Sequence, residues 1–435
     1  MKIGFVSLGC SKNQVDSERV MGLLKANGHS ITTVLNDAQA IFVNTCGFIN
    51  PAKEESINTI LEMAEYKQKN LKKLVVIGCL SQRYKQDLID ELPEVDRFIG
   101  VSEYNKLDEI LSDVLETEII GTYGKMERLI SKKAHTAYLK ISEGCSNRCT
   151  YCAIPLIRGN MVSYPKEDLL MEAQKLVLQG VKELVLIAQD TTRYHEDKGS
   201  NELGSLLKEL NALPGLRWIR ILYMYPNAVS KALLQDMKAC DKVIPYFDIP
   251  IQHADNALLK AMNRKGSVED IRQVINDIRD VFPQAILRTT VIVGFPGETR
   301  EQFESLLDFI KEVRFDRLGA FAYSLEEDTP AYDLPESLSE TEKQERLLQV
   351  MDLQSSISLE KTQAMIGKTL DVLVDSKERN SNVYHGRSVN SAPDQVDGEV
   401  VFVSETLLKI GSFVKVKINR NDEYDLFGEL SQSAL

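Results

Sequence analysis

The chain lacks the features that would place it in a membrane or outside the cell. Its longest apolar runs, such as Leu74 to Ile77, are the length of a strand and too short to span a bilayer. The opening MKIGFVSLGCSKN has an apolar stretch too short for a signal peptide, and no small-residue cleavage site follows it. Cysteine is scarce and odd in number, at seven, without a disulfide-like framework, which favours a reducing compartment. We therefore expect a cytoplasmic protein without a membrane span.

Basic side chains are also fewer than acidic ones, which gives a formal net charge of −12. This balance argues against a globally basic nucleic-acid binder and favours basic partners. The hydrophobic share of 43% and the charged share of 27% are those of an ordinary globular chain. The length of 435 residues suggests about three domains.

Three of the seven cysteines lie within eight residues, in the run EGCSNRCTYCAIP that contains Cys145, Cys149 and Cys152. No fourth Cys or His follows within the next forty residues. Three thiolates can hold three corners of one small metal cluster and leave the fourth for another ligand, whereas a structural site closes its coordination sphere. The run therefore predicts an open cluster. The alternative is a zinc site, which would want a fourth local ligand.

Three other cysteines each follow an apolar stretch near the start of the chain. These stretches have the character of strands, with helical patterns between them: Lys2 to Leu8, Ala40 to Asn44 and Leu74 to Ile77. The cysteines beside their ends, each next to a glycine, are Cys10, Cys46 and Cys79. Strand–helix alternation predicts a parallel sheet, whose strand ends lie along one edge. We therefore expect a second converging triplet of thiolates; the alternative is that each cysteine is a small buried side chain.

The alternation resumes after a charged connection, Lys125 to Lys133. Six more strands are predicted, enough for an open, partial (β/α)6 barrel of the TIM type: Tyr138 to Ile141, Leu184 to Ala188, Ile219 to Tyr223, Tyr246 to Ile249, Ile286 to Val293 and Gly319 to Tyr323. The active site of such a barrel lies at the C-terminal ends of its strands. Polar residues there include Gln189, Gln252, His253 and the loop Gly294 to Glu298. Cys240 lies near a helix end and predicts a packed or surface thiol.

The segment from Ile366 to Leu430 consists of short alternating stretches between polar turns, which predicts a small antiparallel β-barrel. Such barrels commonly bind oligonucleotides, but this one holds eight Lys or Arg against eleven Asp or Glu. An acidic barrel suits a basic protein better than it suits phosphate. The predicted fold class is thus α/β, with an N-terminal parallel-sheet domain (1–125), a partial barrel (131–362) and a terminal β-barrel (364–432).

The cysteine run, with Tyr151 before its last cysteine, resembles the signature of radical S-adenosylmethionine enzymes. The three upstream cysteines and the terminal barrel narrow the resemblance, over nearly the whole chain, to the methylthiotransferases, whose terminal barrel is called TRAM. The segment Ser7 to Glu18, SLGCSKNQVDSE, resembles the RimO branch, which modifies an aspartate of small-subunit ribosomal protein twelve. The tRNA-modifying, MiaB-like branch usually has Gln and then Met-Asn after its first cysteine, where this chain has Ser11-Lys12-Asn13.

This resemblance implies a transferase with two [4Fe–4S] clusters and S-adenosylmethionine as cosubstrate. The catalytic cluster would be held by Cys145, Cys149 and Cys152; its open iron would bind S-adenosylmethionine, and its electron would release a 5′-deoxyadenosyl radical. The second cluster would carry sulfur that a second S-adenosylmethionine methylates before the methylthio group passes to the aspartate β-carbon; its ligands would be Cys10, Cys46 and Cys79. Candidates for cosubstrate contacts are Tyr151, Gln189, Gln252 and Arg288, although Arg288 could equally be a satisfied charge inside the barrel.

The implied partners are ribosomal protein twelve, the ribosome itself, and an electron donor such as a flavodoxin or ferredoxin. Two other functions stay open at this point. One is a tRNA methylthiotransferase with the same chemistry and the same architecture. The other is a non-enzymatic iron–sulfur protein, acting as a sensor or scaffold, which would account for the cysteines alone.

Overall fold

The computed structural model describes residues 1–131, 134–335, 337–394 and 396–431, which form three main sheets and one short hairpin. The end of the predicted connection, at 132 and 133, and the predicted domain end at 432 lie outside these ranges. Within them, no helix has both the length and the apolar character needed to cross a membrane. The domain bounds given above stay predictions.

The N-terminal elements alternate as the sequence predicts. In chain order they are β1 (Lys2–Ser7), α1 (Ser11–Ala26), β2 (Ser30–Thr32), β3 (Ala40–Thr45), α2 (Asn50–Ala64), β4 (Lys73–Gly78), α3 (Cys79–Arg83), α4 (Lys85–Glu91), β5 (Arg97–Gly100) and α5 (Leu107–Leu115). The strands form a parallel sheet in the order β2-β1-β3-β4-β5. Helices cover both faces, which is why the central strands are nearly continuous apolar runs.

The middle of the chain forms the predicted open barrel. Its elements are β6 (Thr136–Lys140), β7 (Ser142–Glu143), α6 (Ile154–Arg158), β8 (Val162–Ser163), α7 (Lys166–Leu178), β9 (Glu183–Ile187), α8 (Leu203–Asn211), β10 (Trp218–Ile221), α9 (Lys231–Lys238), β11 (Val243–Asp248), α10 (Asn256–Ala261), α11 (Val268–Val281), β12 (Ile286–Val293), α12 (Arg300–Val313), β13 (Arg317–Ala322) and α13 (Glu340–Gln363). Six parallel strands form an arc in the order β6-β9-β10-β11-β12-β13, and β7 pairs with β8 as a hairpin.

The terminal segment closes into a barrel of five strands: β14 (Thr369–Lys377), β15 (Val383–Arg387), β16 (Val400–Val403), β17 (Phe413–Asn421) and β18 (Leu426–Leu430). The predicted antiparallel pairing holds for all neighbours except β16 and β18, which are parallel. A ring with an odd number of strands cannot alternate direction all the way round, so closure with five strands requires at least one parallel pair. The sequence-based prediction overlooked this constraint.

The terminal barrel packs against the inner face of the six-stranded arc. Val185 and Ile187 point to that face, where they join a cluster with Leu373 of β14, while Leu184 and Leu186 point outward to the helices. Polar contacts reinforce the packing. They include Arg387 to Glu183 at 2.7 Å, His135 to Asp375 at 2.8 Å, Tyr138 to Asp394 at 2.7 Å and Tyr246 to Asp397 at 2.5 Å. The terminal barrel is therefore a fixed part of the interior and not a tethered module.

Replacing Glu183 by Gln should lower the free energy of unfolding by about 3 kcal/mol at neutral pH, because buried Arg220 and Arg387 would lose their shared carboxylate. Burial opposes ionisation of Glu183, but the two guanidinium groups outweigh it and hold its pKa below the ordinary value of 4.5. The ionised carboxylate therefore stabilises the fold above pH 4.5, and that contribution is lost as the pH falls through the folded-state pKa. Urea unfolding should show the gap between wild type and variant narrowing in acid.

The matched control for that measurement is Glu360→Gln, which removes an exposed partner of Arg314. Exposed ion pairs contribute little, so this variant should unfold within about 0.5 kcal/mol of wild type. A Glu183→Gln protein as stable as this control would contradict the expected contribution of the buried pair.

Candidate functional site

One cavity of about 340 Å³ lies where the N-terminal sheet faces the middle barrel. All six cysteines of the two predicted triplets line it: Cys10, Cys46, Cys79, Cys145, Cys149 and Cys152. The C-terminal ends of β1, β3 and β4 supply the first three, and the loop after β7 supplies the others. The structure thus brings the two triplets, from two different sheets, to the walls of a single space.

Glycines let the ends of the N-terminal strands approach one another. A Cβ at Gly9 would lie 3.0 Å from the Cβ of Cys46, and one at Gly47 would lie 3.0 Å from the carbonyl carbon of Cys79. Gly78, immediately before Cys79, has a φ of 102°, in the region that favours glycine. A larger residue at these positions would push the cysteines apart, so the glycines are part of how the triplet is built.

Burial and a nearby cation have opposite effects on the thiol pKa values of this triplet. Burial raises the pKa of the Cys46 thiol to about 12 and also raises the pKa of Cys79, whereas Cys10 is exposed. Arg158 works in the other direction, because its Nη2 lies 3.4 Å from the Cys79 sulfur and favours the thiolate. The thiolate is the form that binds metal. Arg158 belongs to α6, so the middle barrel itself contributes to the environment of the N-terminal triplet.

A buried ion network joins the two domains beside this arginine. Asp16 of α1 accepts from Arg158 at 3.1 Å and is also paired with Lys140. Glu143 accepts from Lys140 and from Arg158, each at 2.8 Å. The side chains of Asp16, Lys140 and Arg158 are at most 1% exposed. Two cations and two carboxylates balance in charge, and their fixed geometry sets the orientation of α1 against the barrel.

Another buried carboxylate joins the N-terminal elements to the middle barrel. Glu326, in the loop after β13, is 2% exposed and accepts from Lys53 at 3.1 Å and from Arg83 at 2.9 Å. It also accepts from the backbone N–H of Asn50, at the start of α2, at 3.0 Å. One carboxylate of the middle barrel therefore binds both α2 and α3 of the N-terminal domain.

The loop that carries the second triplet is held by backbone hydrogen bonds at both ends. Cys145 donates to the carbonyl of Gly159 at 3.0 Å, and Thr150 donates to the carbonyl of Met262 at 3.1 Å. Gly144, immediately before the first cysteine, has a φ of 70° and carries no Cβ that would meet the backbone of the opposing loop. The loop is therefore preorganised by the fold.

The environment of this triplet resembles that of the first. Burial raises the pKa of Cys152 to about 12 and raises that of Cys145. Arg264 lies beside Cys149, with Nη1 3.9 Å from its sulfur, and donates through Nη2 to the carbonyl of Pro250 at 2.6 Å. Each triplet thus has one guanidinium next to one of its sulfur atoms.

Three of the four predicted cosubstrate residues line the cavity: Tyr151, Gln189 and Gln252. The Oε1 of Gln189 is buried and accepts no hydrogen bond from any residue that the structure describes. Gln252 has a φ of 70°, and its backbone is held between Thr290 and Ile292 by hydrogen bonds of 2.9 Å and 2.8 Å. A buried acceptor without a donor is unfavourable, so the amide of Gln189 suits a ligand with an N–H group.

The structure does not bring Arg288 to this cavity. Its guanidinium pairs with Asp248 at 3.0 Å and lines a separate cavity between the arc and the terminal barrel. The reason is its position near the start of β12, whereas the cysteines lie beyond the C-terminal ends of the strands. Arg288 is a charge satisfied inside the barrel, the alternative that the sequence left open.

The other strand-end candidates are also outside the cavity lining. In the loop Gly294 to Glu298, the carboxylate of Glu298 accepts from its own loop's backbone and from Arg346 at 2.7 Å, so the loop is closed on itself. His253 is buried, and neither ring nitrogen has a hydrogen-bond partner among the described residues. Cys240 is 3% exposed and packs in the core between sheet and helices, as the packed-thiol alternative predicts.

Several cavity residues were not identified as site residues from the sequence: Lys12, Asn13, Arg158, Tyr223 and Arg264. Tyr225, a polar residue just beyond the predicted strand Ile219 to Tyr223, also lines the cavity, as its strand-end position predicts. Lys12 and Asn13 follow Cys10 directly, and Arg158 comes six residues after Cys152, so proximity to the cysteines was an available signal. Tyr223 and Arg264 belong to no motif, and only the fold brings them here.

The two triplets fit clusters better than single ions. No three His, Cys, Asp or Glu side chains in the described ranges surround a point where one metal ion would bind. A cubane cluster makes a different demand, because each thiolate binds a different iron and the sulfur atoms stand further apart. Three cysteines, a glycine-lined approach and an adjacent guanidinium at each site suit a cluster held at three corners.

Comparison with known families divides the chain in the same three parts. The uncharacterized protein family UPF0004 matches residues 2–100, the radical SAM superfamily matches residues 139–310, and the TRAM domain matches residues 366–430. Among solved structures, the radical S-adenosylmethionine methyltransferase TsrM from Kitasatospora setae is similar, with a TM-score of 0.56 at 13% identity, covering 87% of this chain and 79% of TsrM. At that identity the similarity concerns the fold alone.

Curated relatives match over the full length. The ribosomal protein uS12 methylthiotransferase RimO of Caldicellulosiruptor saccharolyticus is 50% identical, covering 99% of this chain and 100% of the relative. The protein of the same name from Clostridioides difficile is 49% identical, covering 99% of both. Identity at this level over both whole chains shows the family. The chain is an enzyme and belongs to the radical S-adenosylmethionine methylthiotransferases, in the RimO branch.

Proposed function

We propose that this enzyme transfers a methylthio group to the β-carbon of an aspartate in ribosomal protein uS12, the small-subunit protein twelve. The observation that carries the proposal is the single cavity lined by both cysteine triplets. Such a cavity allows a substrate carbon to be activated at one wall and to receive sulfur from the other without leaving the site. The names of the relatives and the net charge of −12, which suits a basic ribosomal protein, support the choice of acceptor.

We assign one [4Fe–4S] cluster to each triplet. Cys145, Cys149 and Cys152 would hold the first, and Cys10, Cys46 and Cys79 would hold the second. When bound, the clusters and two S-adenosylmethionine molecules supply a radical that removes hydrogen from an unactivated carbon and a methylated sulfur for transfer. The protein contributes binding, orientation and exclusion of water.

The residues of the chain suit those tasks. Arg158 and Arg264 each stabilise a neighbouring thiolate. The amide oxygen of Gln189, which has no donor among the described residues, can accept from the amino group of the cosubstrate. Tyr151 and Gln252 also line the cavity. A flavodoxin or ferredoxin remains the proposed electron donor.

Family membership removes one alternative, because an enzyme of this family is not a mere iron–sulfur sensor or scaffold. The remaining alternative is a tRNA acceptor. The terminal barrel, with eight basic against eleven acidic residues and one face packed into the middle barrel, offers a poor surface for phosphate.

The test is the intact mass of uS12 from cells with and without the gene for this chain. We expect one added methylthio group on an aspartate only in cells with the gene, and fragmentation should place it on the β-carbon. A plasmid-borne copy should restore the mass in the deletion strain. Unmodified uS12 in cells with an active gene would contradict the proposal, and transfer to isolated tRNA instead would establish the alternative.

A further inference from the structure

Lys12 lies in the wall of the cavity, two residues after Cys10, on the first turn of α1. The residue is 7% exposed, which is a low value for a lysine. Its surroundings include both cysteine triplets, so its side chain belongs to the space in which the acceptor reacts. The residue is therefore in a position to contact the substrate.

Among the residues that the structure describes, the ammonium group of Lys12 has no carboxylate partner. Across the described ranges, no carboxylate lies within 4.0 Å of its Nζ, and no side-chain hydrogen bond involves it. Arg158, another cation in the same wall, is paired with Asp16 and Glu143. A buried ammonium group without a counter-charge is unfavourable unless a bound anion supplies one.

One contact of Lys12 is with an aromatic ring from the other domain. Its Nζ lies 3.1 Å from the centre of the Tyr223 ring, and the hydroxyl of Tyr223 lies 3.4 Å from that of Ser11. A cation–π contact offsets part of the loss of hydration and leaves the N–H groups free to donate elsewhere. The ring thus orients the ammonium group and does not neutralise it.

The position of Tyr223 is itself imposed by the fold. Tyr223 follows β10 with a φ of 61°, which is uncommon for a bulky residue. Its backbone N–H donates to Asp248 at 2.9 Å, and its carbonyl accepts from Thr191 at 3.0 Å. Strain that surrounding contacts maintain in this way is concentrated at functional sites. Here it holds the ring beneath Lys12.

The third cation in the wall is placed differently. Arg264 lies against Cys149, donates to the carbonyl of Pro250 and stacks 4.1 Å from the centre of the Tyr225 ring. All three of these contacts are with residues of the middle barrel, which also carries the Cys145, Cys149 and Cys152 triplet. Lys12 comes from the other domain and has donors to spare, so it suits the second anion that the reaction brings into the cavity.

We propose that Lys12 binds the carboxylate of the acceptor aspartate and so selects an acidic side chain as the substrate. This inference rests on the proposed function, because it supposes an aspartate acceptor. The ammonium group would hold the carboxylate by charge-assisted hydrogen bonds and present the adjacent β-carbon between the two triplets. The ring of Tyr223 would set the direction of that contact.

The experiment compares two holoenzymes and two acceptors. Lys12→Met removes the charge at similar length, and the acceptors are uS12 and uS12 with its target aspartate changed to Asn. For wild type we expect kcat/KM for methylthiolation to be about 10- to 100-fold higher with Asp than with Asn. Lys12→Met should lose most of that preference by losing rate on the Asp acceptor. The Asp and Asn acceptors differ in the reactivity of the β-carbon as well as in charge. Because that difference is the same for both enzymes, comparing the effect of Lys12→Met on the two acceptors isolates the contribution of the contact between Lys12 and the carboxylate.

The matched control is Lys69→Met, since Lys69 also lies over a tyrosine ring, that of Tyr66, but at the surface. Lys69→Met should keep the wild-type preference, and Lys12→Arg should recover part of it. Equilibrium binding of the two acceptors to unreduced holoenzyme gives a readout independent of turnover. There too, Lys12→Met should weaken binding of uS12 and not of its Asn variant.

Three results would overturn this role for Lys12. The first is an equal loss on both acceptors, and the second is a matching loss of 5′-deoxyadenosine formation without acceptor, which would put Lys12 on the cosubstrate. The third is loss of iron or a changed cluster spectrum with the Asp preference intact, which would make Lys12 a positioning residue for the cluster. If wild type fails to modify uS12 at all, the proposed function itself falls, and this outcome is separate from the other three.

Discussion

Replacing Cys145, Cys149 and Cys152 together by Ala should reduce formation of 5′-deoxyadenosine by on the order of 10³-fold or more and leave about half of the iron bound. The chemistry depends on the cofactor, so loss of its three ligands removes the step entirely instead of weakening it. Iron remains because the other triplet is built from a separate sheet with its own glycine-lined approach. Iron content and product formation should be measured on anaerobically reconstituted protein.

The variant that lacks the N-terminal triplet should lose the same amount of iron but a different activity. Replacing Cys10, Cys46 and Cys79 by Ala should also leave about half of the iron, but S-adenosylmethionine cleavage should persist while methylthio transfer to uS12 is lost. Cys240→Ala is the control, because this buried thiol packs in the core away from the cavity and should retain both clusters. Loss of all iron from either triple variant would contradict the assignment of one cluster to each triplet.

Replacing Glu326 by Gln should uncouple the formation of 5′-deoxyadenosine from methylthio transfer to uS12. The change removes the only carboxylate shared by Lys53 and Arg83 in the described contacts, and leaving two largely buried cations unpaired costs about 3 kcal/mol or more. The N-terminal elements would then lose one of their buried polar attachments to the middle barrel. We expect the yield of methylthiolated uS12 per 5′-deoxyadenosine to fall by about 10-fold, since misplacement by about 1 Å is enough for a large loss.

The measurement follows both products in the same reaction, together with iron content and urea unfolding. Glu312→Gln is the matched control, because it removes an exposed partner of Arg272 and should change neither the yield ratio nor the stability noticeably. An unchanged ratio in Glu326→Gln would contradict this role for Glu326 and would mean that the remaining contacts, such as the network of Asp16, Lys140 and Arg158, are enough to maintain the cavity.

The fold was largely predictable, because its signals are local. Apolar strands alternating with helices require a parallel sheet, and a parallel sheet places its C-terminal ends along one edge. That reasoning predicted the N-terminal triplet from Cys10, Cys46 and Cys79 without any shared motif. It also predicted all six strands of the middle barrel, with Ile286 to Val293 reproduced to the residue.

The errors have identifiable physical causes, two of them local and one a property of the whole terminal barrel. The strands Val383–Arg387 and Leu426–Leu430 were not predicted, because each has a glycine in its interior and little clean alternation. Arg288 was predicted as a cosubstrate contact only because it lies on a barrel strand. Its position near the start of that strand puts it at the end of the barrel away from the cysteines. The single parallel pair of the terminal barrel follows from ring closure, which is a property of the whole set of strands.

The three-part architecture and the two cysteine triplets could be read from the sequence, since strand–helix periodicity and the short spacing of Cys145, Cys149 and Cys152 encode them. The tertiary structure alone shows that the triplets share one cavity and that Lys12 faces it with no carboxylate partner in the described ranges. Those facts depend on contacts such as Asn50 to Glu326, 276 residues apart, and Arg158 to Asp16, 142 residues apart. Ion pairs between distant segments leave no periodic trace, so the relative placement of two domains becomes visible only in the folded chain.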